Sequence, residues 1–331
     1  MKIGKITGNA LKRSVLKPIT FKREEVLHGA GIGEDCAILA VPEGFYMTTC
    51  VQQAVVESGL DLNLLIGRCV NNLAASGSQP MAATLGLSLP ETVEEPQLKA
   101  LIADAHEICK GYGMQIVGGH TTVSDAVNKV LLVVTVYGLR QQAVGDESVG
   151  FQAKDAAPGQ EIVLSKWVGL EGTALLADQY GDGLKGRYPG YLVEEAAQFY
   201  KYMSVLPEAM VAMKAGVCHM HDASEGGILA ALWEMAEGAG AGLTIDLKKL
   251  PIRQETVEVC EYVGANPYEL RSGGCLIMTA HDGQKLVEAL EEAGTPAVVV
   301  GKLTDRKDRL ILNEDEVRYM DRPQVDEIYR Y

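Results

Sequence analysis

Residues 116–125, IVGGHTTVSD, run an apolar segment into two glycines and then set His120, Thr121 and Thr122 side by side. Glycine frees a backbone to turn sharply or to let another group approach closely. A purely structural turn uses the glycines but gives no task to a histidine followed by two hydroxyls. The stretch therefore reads as a strand that stops at Gly118 and Gly119, followed by a loop presenting polar groups to a ligand.

Around this segment the pattern is that of a layered α/β domain. CAILAV (36–41) and FYMTTCVQQAVV (45–56) read as two strands joined by the turn Pro42-Glu43-Gly44. Leu62, Leu65, Ile66, Cys69, Val70, Leu73 and Ala74 recur at helical spacing, and Gly77 is a natural terminator. MAATLGLSLP (81–90) reads as a buried strand, 95–112 as a second amphipathic helix, and MQIVGG and KVLLVVTVYGL as further strands. The order β-β-α-β-α-β-β predicts helices laid on a sheet.

At 331 residues the chain is larger than one hydrophobic core usually supports, so two domains are expected. The polar stretch 140–160, RQQAVGDESVGFQAKDAAPGQ, separates them near residue 150, giving domains 1–150 and 151–331. The second half opens with EIVLSKWVGLEG (161–172), read as a strand, and continues through a helix near 193–215 and the loop HMHDASEGG (219–227). Helices at 228–240, 254–264 and 283–294 then alternate with strands at 241–247, 275–280 and 297–303, before a charged tail with a last strand.

Composition excludes several classes. With 47% hydrophobic and 22% charged residues the chain is an ordinary globular one, and no apolar run reaches the roughly 18 residues of a membrane helix. The first residues, MKIGKITGNALKR, lack the apolar core of a secretory signal, so cytoplasm is the expectation. Seven scattered cysteines without a C-x-x-C pair fit neither a disulfide framework nor a four-cysteine zinc site. A net charge of −14 disfavours nucleic acid and anionic membranes. Yet Lys2, Lys5, Lys12, Arg13, Lys17, Lys22 and Arg23 all precede the first acid, Glu24. This basic arm is either a phosphate-reaching segment, in its own subunit or a partner's, or a solvated and partly disordered terminus.

Three more motifs carry chemistry. HGAGIGEDCAIL (28–39) puts glycines, through which backbone amides can approach a phosphate, beside carboxylates able to hold Mg²⁺; an ordinary glycine-rich turn has the same letters. VNNLAASGSQP (70–80) sets two amides, Asn71 and Asn72, in an otherwise apolar helix, as ligand contacts or as one exposed and one capping amide. HDASEGG (221–227) gathers Asp222, Ser224 and Glu225 ahead of a helix. An N-cap accounts for one of them, and two acids three apart suit a divalent cation.

In this order the motifs resemble the superfamily of ATP-dependent enzymes typified by aminoimidazole ribonucleotide (AIR) synthetase (PurM-like). It includes thiamine-monophosphate kinase, selenophosphate synthetase and HypE, the hydrogenase-maturation carbamoyl dehydratase. Gly33-Glu34-Asp35-Cys36-Ala37 matches its G-D-D-A-A motif, Thr49-Cys50 its T-D strand end, and Asn71-Asn72-Leu73-Ala74 its N-D-L-A helix. Gly118-Gly119-His120-Thr121 matches its G-G-D-T or G-G-H-T loop, and Asp222-Ala223-Ser224-Glu225-Gly226 its D-A-T-R-G-G or D-x-S-D-G loop. VCEYVGANPYELRSGGCLIMTA (259–280) looks most like the dehydratase.

The resemblance implies a two-domain α/β (α+β) fold of PurM-like type, whose N-terminal domain forms a β-barrel across a homodimer. It implies ATP and Mg²⁺ as cofactors. Gly33, Asp35, Asn72, Gly118, Gly119, His120, Thr121 and Asp222 would bind the nucleotide, and Asp35, Asp222 and Glu225 the metal. The expected activity is phosphoryl transfer from Mg-ATP to an unknown small substrate, or its activation. The alternative is a non-catalytic nucleotide-binding or maturation scaffold with a partner protein. No general base is identifiable.

The departures are specific. Cys50 and Asn72 stand where the pattern carries Asp, and His120 where many members do, which thins the acidic cluster, and Mg²⁺ prefers hard oxygen donors. A softer metal at Asp35, Cys36, Cys50 and His120 is the remaining metal reading. The dehydratase ends in a flexible Pro-Arg-Ile-Cys tail whose cysteine carries the carbamoyl group. This sequence ends RPQVDEIYRY and its last cysteine is Cys275, so the cyanide-forming reaction is not expected of it.

Overall fold

The computed structural model describes residues 1–32, 34, 36–142 and 152–331. The chain forms two compact units, Met1–Leu73 with Ser78–Glu147, and Ala74–Gly77 with Ser148–Tyr331. The boundary expected near residue 150 lies outside the described residues.

The first unit opens with β1 (Gly4–Lys5), a single helical turn α1 (Gly8–Ala10) and a π-helical segment, Leu11–Leu16. Then follow β2 (Val26–His28), β3 (Ile38–Leu39), β4 (Phe45–Val55), α2 (Gly59–Ala75), β5 (Gln79–Leu89), α3 (Glu95–Gly111), β6 (Gln115–Val123) and β7 (Leu131–Gln141). Five strands form one sheet in the order β1-β6-β5-β7-β4. Along β7, Leu132, Val134 and Val136 are fully buried while their neighbours are half-buried, so one face of the sheet is covered and the other is partly open. The covered face carries α2: the Cys50 thiol donates to the carbonyl of Cys69 at 3.3 Å, and the Cys69 thiol to that of Val134 at 3.7 Å. Gly77, at φ +78°, ends the helix as its sequence position implies.

Two expectations for this unit change. The basic arm is ordered: Gly4 and Lys5 pair with Val123 and Thr122 as an edge strand, and Arg13 grips Glu95 through two hydrogen bonds. The segment GGHTT, expected as a loop, is the second half of β6. It stays in the sheet because the chain bulges at Val117: Ala83 pairs with Ile116, but Thr84 pairs with Gly118. Gly119 has φ +150°, and a Cβ there would lie 2.0 Å from the carbonyl oxygen of Leu85. Gly119 thus serves close approach to β5 rather than a turn.

The second unit contains β8 (Glu161–Ser165), α4 (Leu170–Lys185), α5 (Gly190–Ala197), α6 (Leu206–Lys214), β9 (His219–Ala223), α7 (Gly227–Ala239), β10 (Gly242–Asp246) and α8 (Gln254–Val263). β11 (Cys275–Ala280), α9 (Gly283–Glu292), β12 (Ala297–Thr304), β13 (Arg309–Asn313) and β14 (Glu316–Tyr319) complete it. Its sheet has seven strands in the order β14-β13-β10-β12-β8-β11-β9. Ile162, Leu164 and Ile277 pack on one side with Ile228, Leu232 and Met235 of α7. Val163, Leu276 and Met278 pack on the other with Ala209 of α6 and Leu286 and Leu290 of α9. Buried on both faces, β8 and β11 read as continuous apolar runs.

Three segments differ from the sequence reading here. The expected strand 161–172 ends at Ser165, and Gly169, at φ +72°, starts α4, a helix the sequence reading did not contain. The expected helix 193–215 is α5 and α6 with a short 3₁₀ turn between them. HMHDASEGG is not all loop, since β9 carries His219 to Ala223 as the edge strand beside β11.

Gly119→Ala should destabilise the protein by about 2–4 kcal/mol, since a positive-φ position is strained for alanine and the added methyl meets backbone. Urea unfolding checks this, and an unchanged midpoint would mean that β5 and β6 can separate at little cost.

Candidate functional sites in the two units

Within the first unit, four of the sequence-selected residues line one cavity of about 290 Å³. Gly118, Gly119, His120 and Thr121 line it along β6, with Gly29 to Gly31, Glu34 and Cys36 from the glycine-rich segment and Lys5 from β1. Its deeper walls are apolar: Leu85 and Leu87 of β5, Ile102 of α3 and Ile116 of β6. His120 is exposed, whereas Thr121 is only 7% exposed, so strand alternation, not loop geometry, decides which polar groups reach the surface. Glu34 is held by His28 at 2.7 Å. Asn72 lies on α2, half-buried beside the fully buried Asn71; neither is among the residues lining the cavity. Gly33 and Asp35 lie outside the described residues.

Asp222 and Glu225 belong to the second unit. Asp222 is on β9, half-buried. Burial pushes its carboxyl up from the ordinary 3.8, and the neighbouring charges of Glu171 and Glu234 push the same way, against the opposing pull of His221. His221 meets Glu234 of α7 at 3.3 Å. Its pKa is raised: burial opposes its charge, but the Glu234 hydrogen bond and the nearby carboxylates outweigh it.

Glu225 is engaged by an arginine. Arg271, 8% exposed and directly ahead of β11, reaches Glu225 at 3.3 Å, Glu171 of α4 at 3.6 Å and Asp326 at 4.0 Å. It also donates to the Tyr329 hydroxyl at 2.7 Å. Asp326 in turn accepts from the backbone N–H of Gly226 at 2.6 Å, Ile328 at 2.9 Å and Arg271 at 3.4 Å, so the chain end is tied to the loop preceding α7. Burial raises the Asp326 carboxyl, while these N–H groups and Arg271 pull it down.

The sequence reading missed Glu171, Arg271 and Asp326. A signal existed for Arg271, the lone cation of LRSGG (270–274) just ahead of a mostly apolar strand. Nothing local marks Glu171 or Asp326, because their burial depends on α4 and the chain end folding over the same arginine. Among the described residues no three His, Cys, Asp or Glu side chains are grouped to hold a metal ion. Also among them, no helix is long and apolar enough to cross a membrane.

Two layered α/β units, one holding a glycine-walled cavity and the other an acidic loop before a helix, define the class to which this protein belongs. The chain is a member of the AIR synthase related protein family: the N-terminal domain of that family matches residues 33–140 and its C-terminal domain residues 157–313. Among curated proteins it is 26% identical over 320 residues to a putative hydrogenase expression/formation protein of Methanocaldococcus jannaschii, covering 92% of this chain and 91% of that one. It is 26% identical to the carbamoyl dehydratase HypE of Rhodobacter capsulatus over 293 residues, 87% of this chain and 82% of that one. Among solved structures, the hydrogenase maturation protein HypE in complex with ATP shares the fold with a TM-score of 0.74 at 18% identity, covering 97% of this chain and 96% of that one.

Arg271→Ala should cost about 3–5 kcal/mol, because Glu171 and Asp326 would stay buried without their counter-charge. Denaturant unfolding at pH 7 measures this, and a loss below about 1 kcal/mol would mean that the arginine is dispensable. A second prediction concerns pH. A carboxyl whose folded pKa is raised gives stability that is full below its unfolded value and lost as pH rises through the folded value. Stability should therefore fall above pH 3.8 less steeply in Asp222→Asn than in the unsubstituted protein, measured as the difference between their unfolding free energies across the acid range.

Proposed function

We propose that this protein is an ATP-using enzyme of the AIR synthase-related type, acting in the cytoplasm, that transfers a phosphoryl group to a small substrate or activates it. The observation that carries the reading is the cavity of the first unit, where backbone freed of side chains at Gly29, Gly31, Gly118 and Gly119 meets Lys5, His120 and Thr121. Amides without a flanking Cβ, one lysine and one hydroxyl are what phosphate oxygens require. The ATP complex of HypE supports the nucleotide, and the family membership supports the reaction type.

Asp222 suits Mg²⁺, since a cation beside it would relieve a carboxyl strained by burial and by Glu171. Glu225 would have to leave Arg271 to share that ion, and Asp35 is a separate metal-ligand candidate in the first unit. When bound, Mg²⁺ offsets phosphate charge. The chain's own residues do the rest: β6 and the glycine-rich segment orient the phosphates, and the apolar walls exclude water from the buried end. Residues 1–150 would bind nucleotide and dimerise, with 151–331 as the second domain. β4 supports the homodimer, as an edge strand whose Met47, Val51 and Val55 are 44–59% exposed beside the open sheet face.

A second reading, a nucleotide-binding scaffold in metalloenzyme maturation that works with a partner protein, draws on Cys50 and Asn72 standing where the family motifs carry Asp, on His120 where many of them do, and on the names of the relatives. Turnover of ATP with any small acceptor would remove it.

Calorimetric titration with ATP should show binding that strengthens with Mg²⁺. His120→Ala and Thr121→Val should each weaken it about tenfold, the worth of one hydrogen bond to a charged group. Affinity unchanged in both variants would move the phosphates elsewhere.

A further inference from the structure

Two cysteines of the first unit meet on the covered face of its sheet. Cys50, half-buried on β4, faces α2, and its thiol donates to the carbonyl of Cys69 at 3.3 Å. Cys69, on α2, is fully buried, and its own thiol reaches the carbonyl of Val134 at 3.7 Å. Cys50 is paired with Val136 of β7, two residues along the same strand, so both sulfurs occupy one gap between helix and sheet. The Cys69 thiol is held above its ordinary range first by its hydrogen bond to the Cys50 sulfur, then by burial and by the charge that Cys50 can carry. Burial alone, by contrast, pushes Cys109 up to about 12, and burial is also the first cause at Cys260 and Cys275. Those three behave as small core residues. The 50–69 pair differs in that each thiol has the other for a neighbour, one of them within reach of solvent and one not. A thiolate attacks an external disulfide only where that disulfide can approach, whereas the thiol that closes a cross-link needs to reach only the first sulfur. Cys50 meets the first need and Cys69 the second.

We propose that Cys50 and Cys69 form a redox modification site, at which a low-molecular-weight disulfide oxidises the pair to a cross-link between β4 and α2. The steps balance. The Cys50 thiolate attacks one sulfur of glutathione disulfide, whose S–S bond breaks, leaving one glutathione on Cys50 and releasing the other as thiolate. Cys69 then gives up its proton and attacks the Cys50 sulfur, the second glutathione leaves, and the internal disulfide forms. Two protein thiols are oxidised, one glutathione disulfide is reduced, and the protons given up by the cysteines end on the two glutathione thiols. In a reducing compartment a cross-link of this kind is transient and sensing rather than structural. Its mechanical effect follows from its place. β4 is an edge strand and α2 carries Asn71 and Asn72, so oxidation pins that helix to the margin of the sheet. Neither the cavity nor ATP enters this chemistry, which is therefore independent of the nucleotide reading.

The test treats the folded full chain with glutathione disulfide and maps its cysteines by mass spectrometry, after the remaining thiols are alkylated in denaturant. In the unsubstituted protein Cys50 and Cys69 should be recovered joined. Cys69→Ala should lose the cross-link and trap glutathione on Cys50. Cys50→Ala should lose all modification at Cys69, whose only route to the reagent is through its neighbour. The cross-link should raise the thermal midpoint of the unsubstituted protein by about 5 °C, as closing a loop of roughly 20 residues does, and dithiothreitol should restore the original value. Glutathione that stays on Cys50 in the unsubstituted protein, or no reaction there, overturns the proposal, and so does modification of Cys69 in Cys50→Ala. A cross-link that leaves the midpoint unchanged or lowers it overturns it as well, because the disulfide would then come from an unfolded chain and not from the contact between β4 and α2. Should either alanine variant fail to fold, the joined peptide and the midpoint of the unsubstituted protein decide alone.

Discussion

The first unit depends on how closely β5 and β6 can run. At Gly119 the two backbones are so near that a single methyl would sit 2.0 Å from the Leu85 carbonyl, and the positive φ of that residue excludes other side chains a second time. Because β6 passes this point without breaking its pairing, it carries His120 and Thr121 beyond the glycines as strand residues, one outward and one buried. The same extension gives β1 an edge to pair with at Thr122 and Val123, and that pairing anchors the arm at the cavity. One backbone contact thus sets the floor, the rim and the attachment of the arm.

In the second unit the organising element is electrostatic. Arg271 is the buried cation around which Glu171, Glu225 and Asp326 gather, each from a different part of the chain. The bare Coulomb gain of such a group is offset by the cost of taking its charges out of water, so its value lies mainly in fixing which segments meet. It fixes the loop before α7 against the start of β11 and the chain end against both. The Asp222 carboxyl is held above its ordinary range first by burial and then by the charges of Glu171 and Glu234.

Much of this was legible without coordinates. The apolar stripe of α2, the continuous runs of β5 and β11 and the terminator at Gly77 follow from periodicity and local backbone preference, and all three appear where the letters place them. The motif order carried the family. Two of the losses share a cause. Glycine in GGHTT and in KWVGLEG has the same local meaning, freedom of φ, and sequence cannot tell whether that freedom makes a turn, a bulge or a helix start. In β6 it became a close approach and at Gly169 the entry to α4, because the neighbouring strand or helix was there to be met.

The candidate site divides along the same line. The sequence by itself determined which residues are chemically able to serve: the glycines of 118 and 119, His120, Thr121, Asp222 and Glu225 all follow from residue type and spacing. Tertiary structure decided which of them share a surface and which are already engaged. It placed His120 and Thr121 in one cavity with Lys5, and it gave Glu225 to Arg271, 46 residues away in the chain. Residue type fixes pKa range and donor count locally, whereas burial and counter-charge are set by side chains distant in sequence, and those exist as neighbours only after folding.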